Sequence, residues 1–299
     1  MKKFFLIPVL VFFVCAASAQ NPAVKTGALL WKVSGNGLTA PSYIFGTHHA
    51  FPVSFLDSVA GVKQAFADCG QMVGELVMND MAAIAGELQK AGMMPKDSTW
   101  QMLLSDDDYR FVDERLTEFF GVGLQTFGMF KPSMVSMSYI AVFYQKMFPQ
   151  AGAEIGADIW FQQQSASRDI PVIGLETVQD QIDAIIDVSS LKRQAADLVC
   201  MLQHLDNTEI NARKLNRFYR SADLTGLEEM LREEGPCPTS AEQETALNDA
   251  RNARWLKKLP DIMHEKSTFV AVGCLHLVGD VGLLAGLEKA GYTVEAIKN

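Results

Sequence analysis

Four short apolar runs in this chain end alike, in a glycine followed within three residues by an imidazole or a carboxylate. "YIFGTHH" closes on Gly46-Thr47-His48-His49, "QMVGE" on Gly74-Glu75, "PVIGLE" on Gly174-Leu175-Glu176, and "VAVGCLH" on Gly273-Cys274-Leu275-His276. Apolar runs of this length read as buried strands. In α/β sheets the carboxyl ends of strands are where loops converge on a rigid base and sites are built. Glycine there allows a sharp turn or a close backbone approach. Two histidines and two glutamates brought to one edge make a divalent-cation site with a carboxylate to spare for general-base work. The reading requires the four strands to be neighbours pointing the same way. Glu176 in "GLET" also suits a plainer role, at the N-terminus of a helix.

The other segments supply the frame. "ALLWKV" (28–33) and "SYIFG" (42–46) flank Gly35-Asn36-Gly37 and read as a hairpin. Further strands are expected at 70–77, 170–176, 268–273 and 292–297. Helices are expected over 81–94, from Ser105 through Val112, Leu116, Phe119 and Phe120, and over 133–148, 154–168 and 177–187. Two more fall in 190–235, then one each over 239–265 and 278–290. Met129, Met134, Met137 and Met147 read as core fillers, and 133–148 as a buried helix. The fold class is α/β (mixed α+β): a central β-sheet with helices packed on both faces and a large helical insertion, about 80–150. No linker or repeat divides residues 20–299, which read as a single domain.

Lys2 and Lys3 precede the apolar run 4–17, and Ala17-Ser18-Ala19 has the form of a signal-peptidase site, so 1–19 reads as a cleavable signal peptide. The expected location is secreted or periplasmic, with no stable membrane span after cleavage. Removing two lysines takes the 26 basic residues to 24 against 35 acidic ones, a formal charge of −11. That balance argues against nucleic acid as a partner. Cys69, Cys200, Cys237 and Cys274 remain, with three possible pairings in a compartment that permits disulfides. His204 and His264 lie on expected helices without ligand-spaced companions and read as surface or structural. Cys274 reads as a small buried hydrophobe or half of a disulfide.

"LLWKVSGNGLTAPSYIFGTHHA", "PVIGLETVQDQI" and "FVAVGCLHLVGDVGLLAGLEKAGYTVE" resemble the TraB/GumN family, which is similar to Tiki-type metalloproteases and more distantly to erythromycin-esterase-like and ChaN-like proteins. The resemblance spans nearly the whole mature chain. It maps the family's paired GxxH motifs onto His49 and His276, leaves His48 a neighbour, and implies that Glu75 belongs to the site. It also implies that "RNARW" is a family Arg-Asn-x-x-Trp element, and Gly156-Ala157-Asp158 a family Gly-x-Asp segment in which Asp158 reads as structural. The function expected is metal-dependent hydrolysis, with His49, Glu75 and His276 holding a divalent cation, manganese or zinc first. Glu176 is then the candidate general base and Arg251 the electrostatic partner of a developing oxyanion. The resemblance to Tiki proteins implies a peptide substrate, with a small molecule as the other class. The alternative is a non-catalytic extracytoplasmic binding protein for iron, haem or a peptide signal.

Overall fold

The strand 268–273 is buried at five consecutive positions, Thr268 to Val272. A strand covered on one face only would alternate, so this one lies inside a sheet covered on both. The computed structural model of the protein describes residues 27–151 and 153–298, and the expected signal peptide lies outside the described residues. Six strands form one mixed sheet: β1 (Leu30–Ser34), β2 (Ser42–Thr47), β3 (Gln71–Gly74), β4 (Val172–Gly174), β5 (Thr268–Gly273) and β6 (Thr293–Ile297). Their spatial order is β4-β3-β5-β2-β1-β6.

β1 and β2 form the expected hairpin, with Leu30 opposite Phe45, and Gly35, Asn36 and Gly37 all at positive φ in its turn. β5 runs parallel to β2 on one side and β3 on the other, and β4 runs parallel to β3. Thr47 pairs with Gly273, while Gly74 faces both Ala271 and Gly174. The four glycine ends therefore reach one edge in near-common register. None of these four glycines has positive φ, and close approach is what they supply. A Cβ on Gly46 would stand 2.8 Å from Leu277 Cδ1 and 3.1 Å from Cys274 Cα, in the turn that carries His276.

Helices Val62–Asp68, Ala157–Ser167 and Leu283–Lys289 lie against strands of the sheet. Phe45, Phe66, Phe161 and Phe269 fill the core beneath them, with Phe161 and Phe269 ring centroids 4.6 Å apart. A second core lies in the insertion, where Trp100, Val112, Leu116, Leu124, Val135 and Tyr139 pack on Leu198 and Leu202 of helix Leu191–Gln203.

Several expectations need correction. The strands at 70–77 and 170–176 are shorter, because the chain leaves the ladder at Gly74 and Gly174. Residues 190–235 hold three helices, Leu191–Gln203, Leu205–Arg220 and Leu224–Arg232. The segment from Thr239 is broken by a π turn at Thr245–Asp249 before helix Ala250–Glu265. Helix Pro132–Met147 buries only Pro132, Val135 and Tyr139. Met129 and Met137 are exposed and are not core fillers, while Met134 and Met147 are half-buried. An apolar composition on most faces hid the fact that only one face has a partner.

Candidate active site

Each carboxylate and imidazole at the common edge is positioned by a different element. Glu75 follows β3 and accepts the Gly273 N–H on Oε1 at 2.8 Å, which ties the end of β3 to the end of β5. Glu176 follows β4, and its N–H donates to the Glu75 carbonyl at 3.0 Å, prolonging the strand pairing by one residue. The next residue, Thr177, caps the following helix in a capping box with Asp180. The plainer role considered for Glu176 thus falls to its neighbour.

Arg251, on helix Ala250–Glu265, is 5 % exposed and engages all five N–H groups, four of them at this edge. Nε and Nη2 donate to the two oxygens of Glu176 at 3.0 and 2.6 Å, a bidentate pair. Nη2 also donates to Glu75 Oε2 at 2.6 Å, and Nη1 donates to the Leu247 carbonyl at 3.1 Å. The second Nη1 proton points to His276 Nε2 at 3.0 Å. The Glu176 side chain is 1 % exposed, so the pair is sealed from solvent.

The hydrogen bonds fix the tautomer of His276. Asn252 Nδ2 donates to the carbonyls of Val281 and His276, which leaves Oδ1 as the acceptor facing His276 Nδ1 at 2.8 Å. Nδ1 therefore carries the proton and Nε2 accepts from Arg251. Burial lowers the His276 pKa to about 4, so the ring is neutral at physiological pH. Trp255 packs its ring 4.4 Å from the same imidazole. Asn252 and Trp255 share a helix face, as their spacing requires, and Arg251 reaches His276 from the side through its length. Burial works against ionising Glu75, yet His276, Arg251 and the Gly273 N–H together hold its pKa below the ordinary value. With His276 neutral, Arg251, the Gly273 N–H and the protonated His49 are the partners that stabilise the Glu75 carboxylate near pH 7.

His49 sits on the far side of a cavity of about 200 Å³, lined also by Glu75, Asp158 and Gln162. Its Nδ1 pairs with Asp158 Oδ2 at 2.8 Å, and Thr47 Oγ1 donates to Asp158 Oδ1 at 2.6 Å. The bond to Asp158 raises the His49 pKa to about 9, and the ring, 74 % exposed, is protonated at neutral pH. Asp158, read from sequence as structural, is the residue that orients His49. The Gly-x-Asp segment was the available signal for it.

The structure thus brings His49, Glu75, Glu176, Arg251 and His276 to one edge. Glu75 Oε1 lies 4.0 Å from His276 Nε2. Among the described residues, the only three His, Cys, Asp or Glu side chains with ligand atoms within 4.8 Å of one another are Cys200, His204 and Cys237. His48 is a neighbour, packed against Phe51 and Tyr219. Cys274 is buried and free, with burial pushing its thiol up to about 12. Both nitrogens of His276 are already engaged, so no Cys274–His276 dyad forms. His264 bridges the Pro260 and Asn36 carbonyls and is structural.

The TraB/PrgY/gumN family model matches residues 29–296. The chain belongs to this family. Neither the curated proteins nor the solved structures give a match. In this TraB/PrgY/gumN chain the GxxH histidines follow the ends of β2 and β5, adjacent parallel strands, which explains how motifs more than 200 residues apart share an edge.

Two predictions follow from this arrangement. Arg251→Met leaves Glu176 buried without its partner and should cost about 3–5 kcal/mol in urea unfolding. Arg251→Lys recovers only part of that loss, because an ammonium cannot reproduce the bidentate pair. A loss under about 1 kcal/mol in Arg251→Met would contradict the pairing. The second concerns pH. The raised His49 pKa gives stability that is complete below about 6.5 and disappears as pH rises through about 9. The lowered Asp158 pKa gives stability present above its ordinary value, 3.8, and lost as pH falls below it. Exposure of the ring keeps the effect small. The stability gap between wild type and Asp158→Asn should therefore narrow between about pH 6 and pH 10, and a constant gap would argue against a charged pair.

Proposed function

We propose that this TraB/PrgY/gumN chain is a hydrolase that cleaves an acyl bond, a peptide bond first, in the cleft between His49 and Glu75 with a divalent cation as cofactor. The observation that carries the reading is the anchoring of both GxxH imidazoles. Each has Nδ1 held by a side-chain oxygen, Asp158 for His49 and Asn252 for His276, which commits Nε2 to the site. That is how protein scaffolds orient metal-binding imidazoles.

The donors fit a borderline or hard divalent ion in kind, two imidazoles and a carboxylate, with manganese and zinc foremost. They are not closed on one point. Arg251 holds His276 Nε2 and Glu75 Oε2, so a cation would compete with the guanidinium for both. His49, Glu75 and His276 would hold the ion, which would also have to displace the Nε2 proton that His49 carries at neutral pH. When bound, such a cation supplies a Lewis acid and an acidified water.

The remaining residues have separable tasks. Glu75 lines the cavity and Glu176 does not, so Glu75 is the carboxylate that meets substrate or water. Glu176 acts through Arg251, whose five N–H groups are all engaged. An oxyanion therefore gains a hydrogen bond from Arg251 only if one of these bonds is given up, and where Nη2 turns from Glu75 it also leaves Glu75 freer to take a proton. The resemblance to Tiki-type proteases supports a peptide substrate. The closed network around Arg251 favours a second reading, a binding protein that holds a ligand without turnover.

Metal analysis of the mature protein, purified without chelator and with its disulfide intact, tests the proposal. One equivalent of metal is expected in wild type and none in folded His49→Ala or His276→Ala, with peptide cleavage lost in parallel. A folded wild type that stays metal-free and inactive after manganese and zinc are resupplied would overturn the hydrolase reading and leave the binding protein.

A further inference from the structure

Cys200 and Cys237 form a disulfide, one of the three pairings open to the sequence. It ties helix Leu191–Gln203 to the segment 233–240, which connects helix Leu224–Arg232 to the next capped turn at Ser240. His204 stands one helical turn beyond Cys200, with its N–H donating to the Cys200 carbonyl at 3.1 Å. That i, i+4 relation is the ligand spacing the sequence reading overlooked. One ring nitrogen of His204 and the two sulfurs lie within 4.8 Å of one another. The His204 imidazole is exposed and makes no hydrogen bond among the described residues.

A cysteine in the last turn of a helix, a histidine at that helix's C-cap and a second cysteine from a facing segment make a chelating arrangement. While the sulfurs are bonded to each other they offer no thiolate, and the trio cannot hold a cation. We propose that reduction of Cys200–Cys237 opens a Cys₂His site for a thiophilic divalent cation of the zinc class, in which the metal replaces the covalent tie. A dithiol supplies the two electrons and two protons: the protein S–S bond breaks, two protein thiols form, and the dithiol closes to its own disulfide. The cation then takes two thiolates and the neutral imidazole, and two protons leave.

The geometry asks for little movement. Zinc–sulfur bonds of about 2.3 Å in a tetrahedron put two sulfurs about 3.8 Å apart, and the His204 ring nitrogen already lies within 4.8 Å of both sulfurs. Other contacts keep the segment in place once the bond is cut: Arg193 Nη2 donates to the Pro238 carbonyl at 2.6 Å, and Gln243 donates to Asp197 at 2.9 Å. Cys200 also lines a cavity of about 520 Å³, which gives an ion a way in and leaves the fourth position to water.

Cobalt(II) is the probe, because thiolate ligation gives it a near-ultraviolet charge-transfer band that imidazole and carboxylate ligands do not. The full mature chain is reduced with a phosphine, desalted without oxygen and titrated. The band is expected to saturate at one equivalent in reduced protein, to be absent in oxidised protein, and to need at least about tenfold more cobalt in His204→Ala, an exposed position that leaves both cysteines in place. Cys200→Ser should abolish the band, and Cys69→Ser and Cys274→Ser should leave it unchanged. No band in the reduced chain, or equal affinity in His204→Ala, would overturn the proposal.

Discussion

The edge of the sheet is organised by one buried guanidinium. Two carboxylates brought together at low exposure repel each other and lose their hydration, and neither stays ionised without a cation. Arg251 is that cation. It joins the ends of β3 and β4 through Glu75 and Glu176, reaches β5 through His276, and belongs to a helix from the far end of the sequence. Replacing its two carboxylate bonds by one would leave Glu75 or Glu176 uncompensated, so the three side chains stand or fall together.

That arrangement is possible only because β2, β3, β4 and β5 are parallel neighbours. Parallel strands need long crossovers, and here the crossovers carry the insertion, the disulfide-tied helices and the RNARW helix. Because β5 is central, its ending at Gly273 sets both the Gly273 N–H that Glu75 accepts and the turn that presents His276. Gly46 on the adjacent strand leaves room for that turn. The two imidazoles then differ by environment alone. His276 is buried beside Arg251 and stays neutral, while His49 is exposed beside Asp158 and carries a proton.

Much of this was legible in the sequence. Period and glycine punctuation located all six strands, the hairpin turn and the caps at Ser105 and Thr177, since each is a local matter of φ, side-chain alternation and capping. The recurring strand-glycine-ligand pattern named Glu75, Glu176, His276 and the pair His48-His49, of which the family resemblance selected His49, and the sheet order supplied the shared edge that a pattern alone cannot. What stayed hidden depended on long-range partners. That Arg251 would bind both Glu75 and Glu176, and that Asp158 would orient His49, are contacts between residues 75 or more positions apart. The exposed face of helix Pro132–Met147 was misread for the same reason, because composition says how apolar a face is and not whether anything covers it. The disulfide pairing could not be chosen by counting.

The site rests on Arg251 and Asn252 locking His276 as a neutral ring with its proton on Nδ1. Nitrogen-15 chemical shifts of the ring, assigned by loss in His276→Gln, measure this directly. One protonated and one unprotonated nitrogen are expected, the Nδ1–H tautomer, unchanged from about pH 5 to pH 8. An imidazolium titrating near 6.5, or a proton resident on Nε2, would contradict it.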